Sequence, residues 1–205
     1  LTNMQNPDGG WGWFGGGRHY SYPHTTAVVI HGLQVARENG IDVDATVLSR
    51  GIKWLSNHQD GEVEKLKRAT SKTLPYKLYA DNRDALIYMI LTEADVNNVQ
   101  MQDFLYRDRT KLSVYGMVVF GLGLETVAQQ ERLTMVVRNI EQYLIQDEEN
   151  ETAYLELPAG HHWWYWYGDE IETNAFYLKL LARVKPQSLQ ASRLVKYLLN
   201  NRKHA

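Results

Sequence analysis

The stretches "SRGIKWLSNHQ", residues 49–59, and "SRLVKYLLNNR", residues 192–202, carry Ser-Arg, then Lys-aromatic-Leu, then Asn at identical offsets. A third stretch, "VRNIEQYLIQ" at 137–146, keeps the Arg, the aromatic-Leu pair and a polar end. In the first of them Leu48, Ile52 and Leu55 fall on one stripe at spacings of four and three, leaving Ser49, Lys53 and Asn57 for water. That spacing predicts a half-exposed helix. Just upstream, Thr26–Ala36 (TAVVIHGLQVA) is apolar nearly all round, as a helix buried on most sides requires.

The alternation recurs three times. Ala85–Leu91 precedes a stripe of Met101, Phe104 and Leu105; Leu112–Leu124 precedes Leu133, Val136, Ile140 and Tyr143; Ala175–Leu181 precedes Leu194, Val195 and Leu198. Self-similarity at this period marks stacked helical hairpins that cannot bury their faces alone. Inner helices packed on one another with amphipathic helices outside predict an all-α fold, an α/α toroid that is part of an α6/α6-type barrel, with residues 1–205 as a single domain. Asn39-Gly40 and Asp60-Gly61 are read as helix ends, Pro75 as part of a connector, and Asp169 or Thr173 as a cap. Thr152–Tyr167, aromatic and β-branched around Pro158-Gly160, predicts a short β-hairpin or extended insertion.

Composition narrows the function. With 22 basic and 24 acidic residues the chain offers no electrostatic reason to bind nucleic acid or an anionic membrane. Its longest uncharged apolar run, Leu112–Leu124, falls short of the roughly 20 residues that span a bilayer. The absence of cysteine removes disulfides, thiolate metal sites and cysteine nucleophiles from this segment. An opening at Leu1 without a signal peptide, and a close at NNRKHA directly after a helical pattern, read as a piece cut from something longer.

Two stretches invite chemistry. "QNPDGGWGWFGGG", residues 5–17, has the glycines of a phosphate loop, but no strand precedes it and no parallel-sheet pattern follows. A tight turn built on Asp8, with Trp11 and Trp13 plugging the end of a helix barrel, is the preferred reading. Residues 161–167 (HHWWYWY), with Asp169, Glu170 and Glu172 nearby, have the aromatic faces and paired carboxylates of a sugar site. Packing of a hairpin over helix ends, with the acids at a helix N-terminus, accounts for the same residues. His19, His24, His31 and His58 lack metal-ligand spacing, no nucleophile elbow is present, and Asn150-Glu151-Thr152 is a glycosylation sequon. No catalytic, cofactor-binding or metal residue is nominated and no cofactor is expected. Trp11, Trp13, Trp54, Tyr143 and Tyr197 are nominated for packing, and the aromatic stretch for domain contacts.

"MQNPDGGWGWFGG" followed by "TTAVVIHGLQVA" and "RGIKWLSNHQ", then "WYWYGDEIETNAFYLKLLARV" with "VKYLLNNRK", resembles the thioester-type helical domain of the alpha-2-macroglobulin family, and the bacterial large extracellular alpha-helical proteins most of all. The resemblance covers most of the chain and implies an α/α toroid within a long secreted protein that entraps proteases after they cleave its bait region. It implies a non-enzymatic endopeptidase-inhibitor domain in the periplasm, cell envelope or extracellular space. Its partners would be target proteases, reached through the parent, and neighbouring β-rich domains. The family's reactive site joins a cysteine to a glutamine through Cys-x-x-Gln, upstream of the Q-x-x-D-G-x-W turn, and this segment has no cysteine. Thioester-competent relatives use a histidine for acyl transfer; the corresponding "DGEVEKLKRATSK" contains none. The alternative is a toroidal carbohydrate-active enzyme, a polysaccharide lyase or glycosidase, using the aromatic cluster near residues 161–172.

Overall fold

A computed structural model describes residues 2–13, 20–158 and 169–202. Its helices alternate as the repeat text predicts, within two units, Leu1–Arg107 and Asp108–Ala205.

The first unit contains α1 (Pro23–Glu38), α2 (Ala45–Lys67), α3 (Asn82–Thr92) and, at its end, α4 (Val99–Asp108). Pro23 opens α1 at its first position, and Asn39-Gly40 closes it with Gly40 at φ +78°. Asp44 caps α2 by accepting from the N–H groups of Thr46 at 2.8 Å and Val47 at 3.3 Å. Helix α2 then runs through Asp60-Gly61, where a helix end was expected. The buried stripe of Leu48 and Leu55 continues through Gln59, Glu62, Val63 and Leu66. Burial of Val63 and Leu66 stabilises by several kcal/mol, against about 1 kcal/mol lost to one glycine. Gly61 is exposed, and an added Cβ there meets nothing within 4 Å. Gly61→Ala is therefore expected to raise stability by about 0.5–1 kcal/mol in urea melts; an unchanged midpoint would mean that α2 is interrupted at this point.

Helix α3 is buried from Asp84 to Thr92, which explains its featureless apolar text. It packs against α1 and α2, which also touch each other. Helix α1 was expected to be buried on most sides, yet it buries Thr26, Ala27, Ile30 and Gln34 while Val28 is 51% exposed. Its neighbours α2 and α3 take one side only.

The second unit contains α5 (Val114–Thr126), α6 (Gln130–Glu141), β1 (Leu144–Asp147), β2 (Thr152–Leu155), α7 (Glu170–Val184) and α8 (Leu189–Asn200). Ser113 caps α5, which is buried from Val114 to Leu124 and packs on both α6 and α7. In each unit, therefore, two inner helices touch, α1 with α3 and α5 with α7. This is the stacked-hairpin arrangement that the sequence predicts.

The β-hairpin lies earlier than expected. Strands β1 and β2 pair antiparallel from Leu144↔Leu155 to Asp147↔Thr152, so the turn falls at residues 148–151. Tyr143 was assigned to a helix, but α6 ends at Glu141 once its buried stripe of Leu133, Val136, Val137 and Ile140 is complete. Asp147 then accepts from the N–H of Asn150 at 2.9 Å and its Nδ2 at 2.8 Å, which sets the reversal. Most of the expected insertion, residues 159–167, lies outside the described residues. Among the described residues no helix is long and apolar enough to cross a membrane.

Candidate functional site

The opening turn is held on every side. Gly9 N–H bonds Asn6 O and Asn6 N–H bonds Gly10 O, both at 2.9 Å. Gln5 Nε2 donates to Gly9 O and Val47 O at 2.9 Å, and Arg50 Nη2 to Asn6 O and Pro7 O at 3.0 Å. Trp11 N–H bonds Thr26 Oγ1 at 2.9 Å, and its ring is only 2% exposed. The N–H groups of Asn6, Gly9, Gly10 and Trp11 thus all have acceptors within the chain, so none is left to cradle a phosphate. Gly9 sits at φ +98°, where a Cβ would lie 2.8 Å from Arg50 O; a Cβ on Gly51 of α2 would lie 2.8 Å from the Trp11 ring. Close approach, not ligand binding, explains these glycines.

Asp8 is the hub of the turn. Its Oδ1 accepts from Gly10 N–H at 3.0 Å and Ser21 Oγ at 2.7 Å, and its Oδ2 from Trp54 Nε1 at 3.0 Å. Partial burial pushes its carboxyl up, but the bonds from Ser21, Gly10 and Trp54 outweigh that and hold it below the usual range. Trp54, nominated for packing, is half-buried and anchors the loop through its bond to Asp8. Trp13, nominated beside Trp11, is 54% exposed. Of these two, Trp11 is the buried plug, its ring packed against Gly51. Trp54→Phe keeps the ring but removes the donor, and should cost about 1 kcal/mol. That loss should vanish in an Asp8→Ala background; equal losses in both backgrounds would deny the bond any role.

A second polar centre escaped the sequence reading. Lys77, in the connector between α2 and α3, places Nζ 2.6 Å from Asp84 Oδ2, 2.8 Å from Asp81 Oδ2 and 3.0 Å from Glu62 Oε2. Lys65 completes Glu62 at 2.5 Å. Asp81 and Asp84 also form a capping box for α3, Asp84 Oδ2 accepting from Asp81 N–H at 2.9 Å. Burial opposes ionisation of Glu62, but the bonds from Lys65 and Lys77 prevail and depress it to about 2. Asp84 is buried beside the Asp81 carboxylate, and these two effects push it up to about 6 against the pull of Lys77. Burial would lower Lys77, yet Asp84 and Asp81 hold it well above the ordinary lysine value. These groups are consumed by one another and join α2, the connector and α3. Only the Asp-x-x-Asp spacing at 81–84 hinted at the cap, and nothing in the text tied Lys77 to Glu62.

The histidines and acids weighed in the sequence build no site of their own among the described residues. His24 and His31 lie on α1, with His31 Nδ1 3.4 Å from Glu93, and His58 lies on α2. Among the described residues no three His, Asp or Glu side chains converge as metal ligands. Asp169 caps α7, accepting from Glu172 N–H at 2.7 Å, and Glu170 accepts from Tyr197 OH. Tyr197 also stacks on Tyr154 at 4.8 Å, which docks β2 on α8; Tyr143 and Tyr197 are both half-buried. A groove of about 570 Å³ beside Asp169 is lined chiefly by aliphatic side chains, Ile171, Leu178, Val195 and Leu199 among them. A sugar site needs aromatic platforms and free carboxylates, whereas two of these acids serve helix and tyrosine contacts. His19 and the aromatic cluster at 161–167 lie outside the described residues.

Comparison with known proteins places this architecture. No protein-family model matches the chain. A stretch of 58 residues, 28% of the chain, is 41% identical to the alpha-2-macroglobulin of Thermotoga maritima. The solved structure of native Escherichia coli alpha-2-macroglobulin from domain MG7 to the C-terminus matches over 97% of the chain, with a TM-score of 0.66 and 20% identity. The Escherichia coli protein activated by porcine elastase matches over 100% of the chain at 0.65 and 20%, and the Salmonella protein reacted with methylamine over 97% at 0.66 and 19%. The chain spans 4% of the curated relative and 29%, 17% and 12% of these three solved chains. Likeness at such identity establishes the fold. By sequence over 58 residues and by fold over nearly its whole length, the chain resembles bacterial alpha-2-macroglobulins, as its opening turn and helical motifs imply.

Proposed function

We propose that residues 1–205 are one helical domain of a longer, alpha-2-macroglobulin-like protease-trapping inhibitor, without catalytic activity of its own. The observation that carries this reading is the joint match, a local sequence likeness to one alpha-2-macroglobulin and a fold shared with others across 97–100% of the chain. The opening turn and the Lys77 cluster support it, because both are closed on themselves and serve to hold helices together. The domain then acts within the parent, whose target proteases and neighbouring β-rich domains are its partners. Any thioester belongs outside this segment, which has no cysteine. The site of action is the periplasm, cell envelope or extracellular space, where the attacking proteases are met.

The test uses the full-length parent incubated with trypsin, the protease named for one Escherichia coli relative. Loss of activity on a large protein substrate, with activity on a small chromogenic peptide spared, is the expected result and identifies physical entrapment. Equal activity on both substrates would overturn the reading and leave the domain a scaffold.

A further inference from the structure

Asn39 is the one asparagine in the chain that glycine follows. It stands at the C-terminal end of α1, and every residue from Arg37 to Asp42 is exposed. Its Nδ2 donates to Val35 O at 2.8 Å, beside the helical bond from Asn39 N–H to the same oxygen at 3.1 Å. Gly40 follows in the left-handed region at φ +78°. Its N–H donates to Arg37 O at 3.1 Å, and Ile41 N–H reaches back to Ala36 O at 3.0 Å, which is the Schellman closure of a helix.

The same closure sets a nucleophile beside an electrophile. The Gly40 nitrogen follows the Asn39 carboxamide carbon at the spacing where attack closes a five-membered ring. At most positions the next side chain crowds that nitrogen. Glycine has none, and a Cβ added at Gly40 would meet nothing within 4 Å, so no neighbouring group covers the place. Attack requires Asn39 to leave its ψ of 18° and to release Val35 O, while Gly40 releases Arg37 O. Both bonds lie at an exposed helix end, where each slows the reaction only about two- to tenfold. Local opening there is far cheaper than unfolding.

We propose that Asn39 is a self-modification site: its carboxamide deamidates in the native chain, and the product loosens the end of α1. Gly40 N bonds to Asn39 Cγ, the Cγ–Nδ2 bond breaks, and ammonia departs with the Gly40 amide proton, leaving a cyclic imide. Water then opens the ring. Cleavage at Cγ gives aspartate in the ordinary chain; cleavage at the Asn39 main-chain carbonyl gives isoaspartate, with an extra carbon in the backbone. Either product loses the Nδ2 donor and adds a carboxylate at the negative end of the α1 dipole. The chemistry needs only water and is independent of the trap reading.

The test incubates the chain at pH 7.5 and 37 °C in water enriched in heavy oxygen, then maps its peptides by mass spectrometry with the isomers separated. Conversion at Asn39 ahead of every other asparagine is expected, with a heavy oxygen in each product and isoaspartate among them. Gly40→Asn keeps a residue that tolerates the left-handed region but crowds the attacking nitrogen, and should slow conversion at Asn39. Asn39→Asp reproduces one product, and hydrogen exchange at its Ile41 amide should accelerate about fivefold. Circular dichroism melts confirm that both variants fold. Earlier conversion of another asparagine, aspartate without isoaspartate, an unchanged rate in Gly40→Asn, or unchanged Ile41 protection in Asn39→Asp would each overturn the proposal.

Discussion

Replacing Lys77 by methionine is expected to lower stability by about 3–5 kcal/mol at pH 7, because it strips the cation from buried carboxylates. Glu62 and Asp84 are 4% and 1% exposed at their side chains, and Lys77 is hydrogen-bonded to both. With Lys77 present, Glu62 is depressed to about 2. A depressed acid contributes stability that is complete above its unfolded value of 4.5 and is lost as pH falls through about 2. Asp84, raised to about 6, has the opposite sign: its stability is complete below 3.8 and is lost as pH rises through about 6. Removing Lys77 raises the folded-state values of both acids, so the variant should lose most stability at neutral pH. The difference from the parent chain should shrink between pH 7 and pH 4.5 as the carboxylates protonate. Urea melts at several pH values read this directly. Asp84→Asn added to Lys77→Met should recover part of the loss, since it removes a charge left without its counterion. A deficit constant across that pH range would show that the variant fails through lost packing of the lysine stem.

The legible part of this fold was its apolar text. Runs buried all round, such as Ala85–Leu91 and Leu112–Leu124, become α3 and α5 because every face of those helices meets a neighbour. Stripes such as Leu48-Ile52-Leu55 become outer helices because one face suffices. Local rules misjudged where elements stop. Gly61 carries a helix-end signature, but the burial of Val63 and Leu66 overrides it; Tyr143 keeps helical spacing, but the Asp147 turn claims the chain first. For the opening turn, Asp8 and the glycines announced a tight structure, and only tertiary packing separates Trp11, buried against Gly51, from Trp13, which is 54% exposed. The Lys77 cluster was illegible because Glu62, Lys77 and Asp84 meet across three elements, a long-range coincidence that no period records.

Asn174 is the other residue whose loss should be severe, with Asn174→Ala expected to cost about 3–5 kcal/mol. The reason lies at the edge of the hairpin. Glu156 N–H bonds back to Tyr143 O, so Leu155 turns its own N–H and C=O to the opposite edge, where the two-stranded sheet offers no third strand. Asn174, fully buried on α7, fills that place with one amide: Oδ1 accepts from Leu155 N–H at 2.7 Å and Nδ2 donates to Leu155 O at 3.2 Å. The second Nδ2 hydrogen goes to Glu170 O at 2.8 Å, which fixes the side chain in this orientation. A carboxamide presents the same donor and acceptor as a peptide group, so the side chain acts as a strand one residue long. Truncation leaves two buried backbone groups unpaired, each costing about 1–3 kcal/mol. Asn174→Asp is the sharper probe, since it keeps the acceptor for Leu155 N–H but sets a carboxylate against the Leu155 and Glu170 carbonyls. It too should be destabilised at pH 7 and improve on acidification, as its folded-state value is raised and protonation restores a donor. Hydrogen exchange at the Leu155 amide should accelerate in both variants. A loss below about 1 kcal/mol in Asn174→Ala, with that amide still protected, would mean that the hairpin is held to the helices by the Tyr154–Tyr197 stack and needs no polar latch.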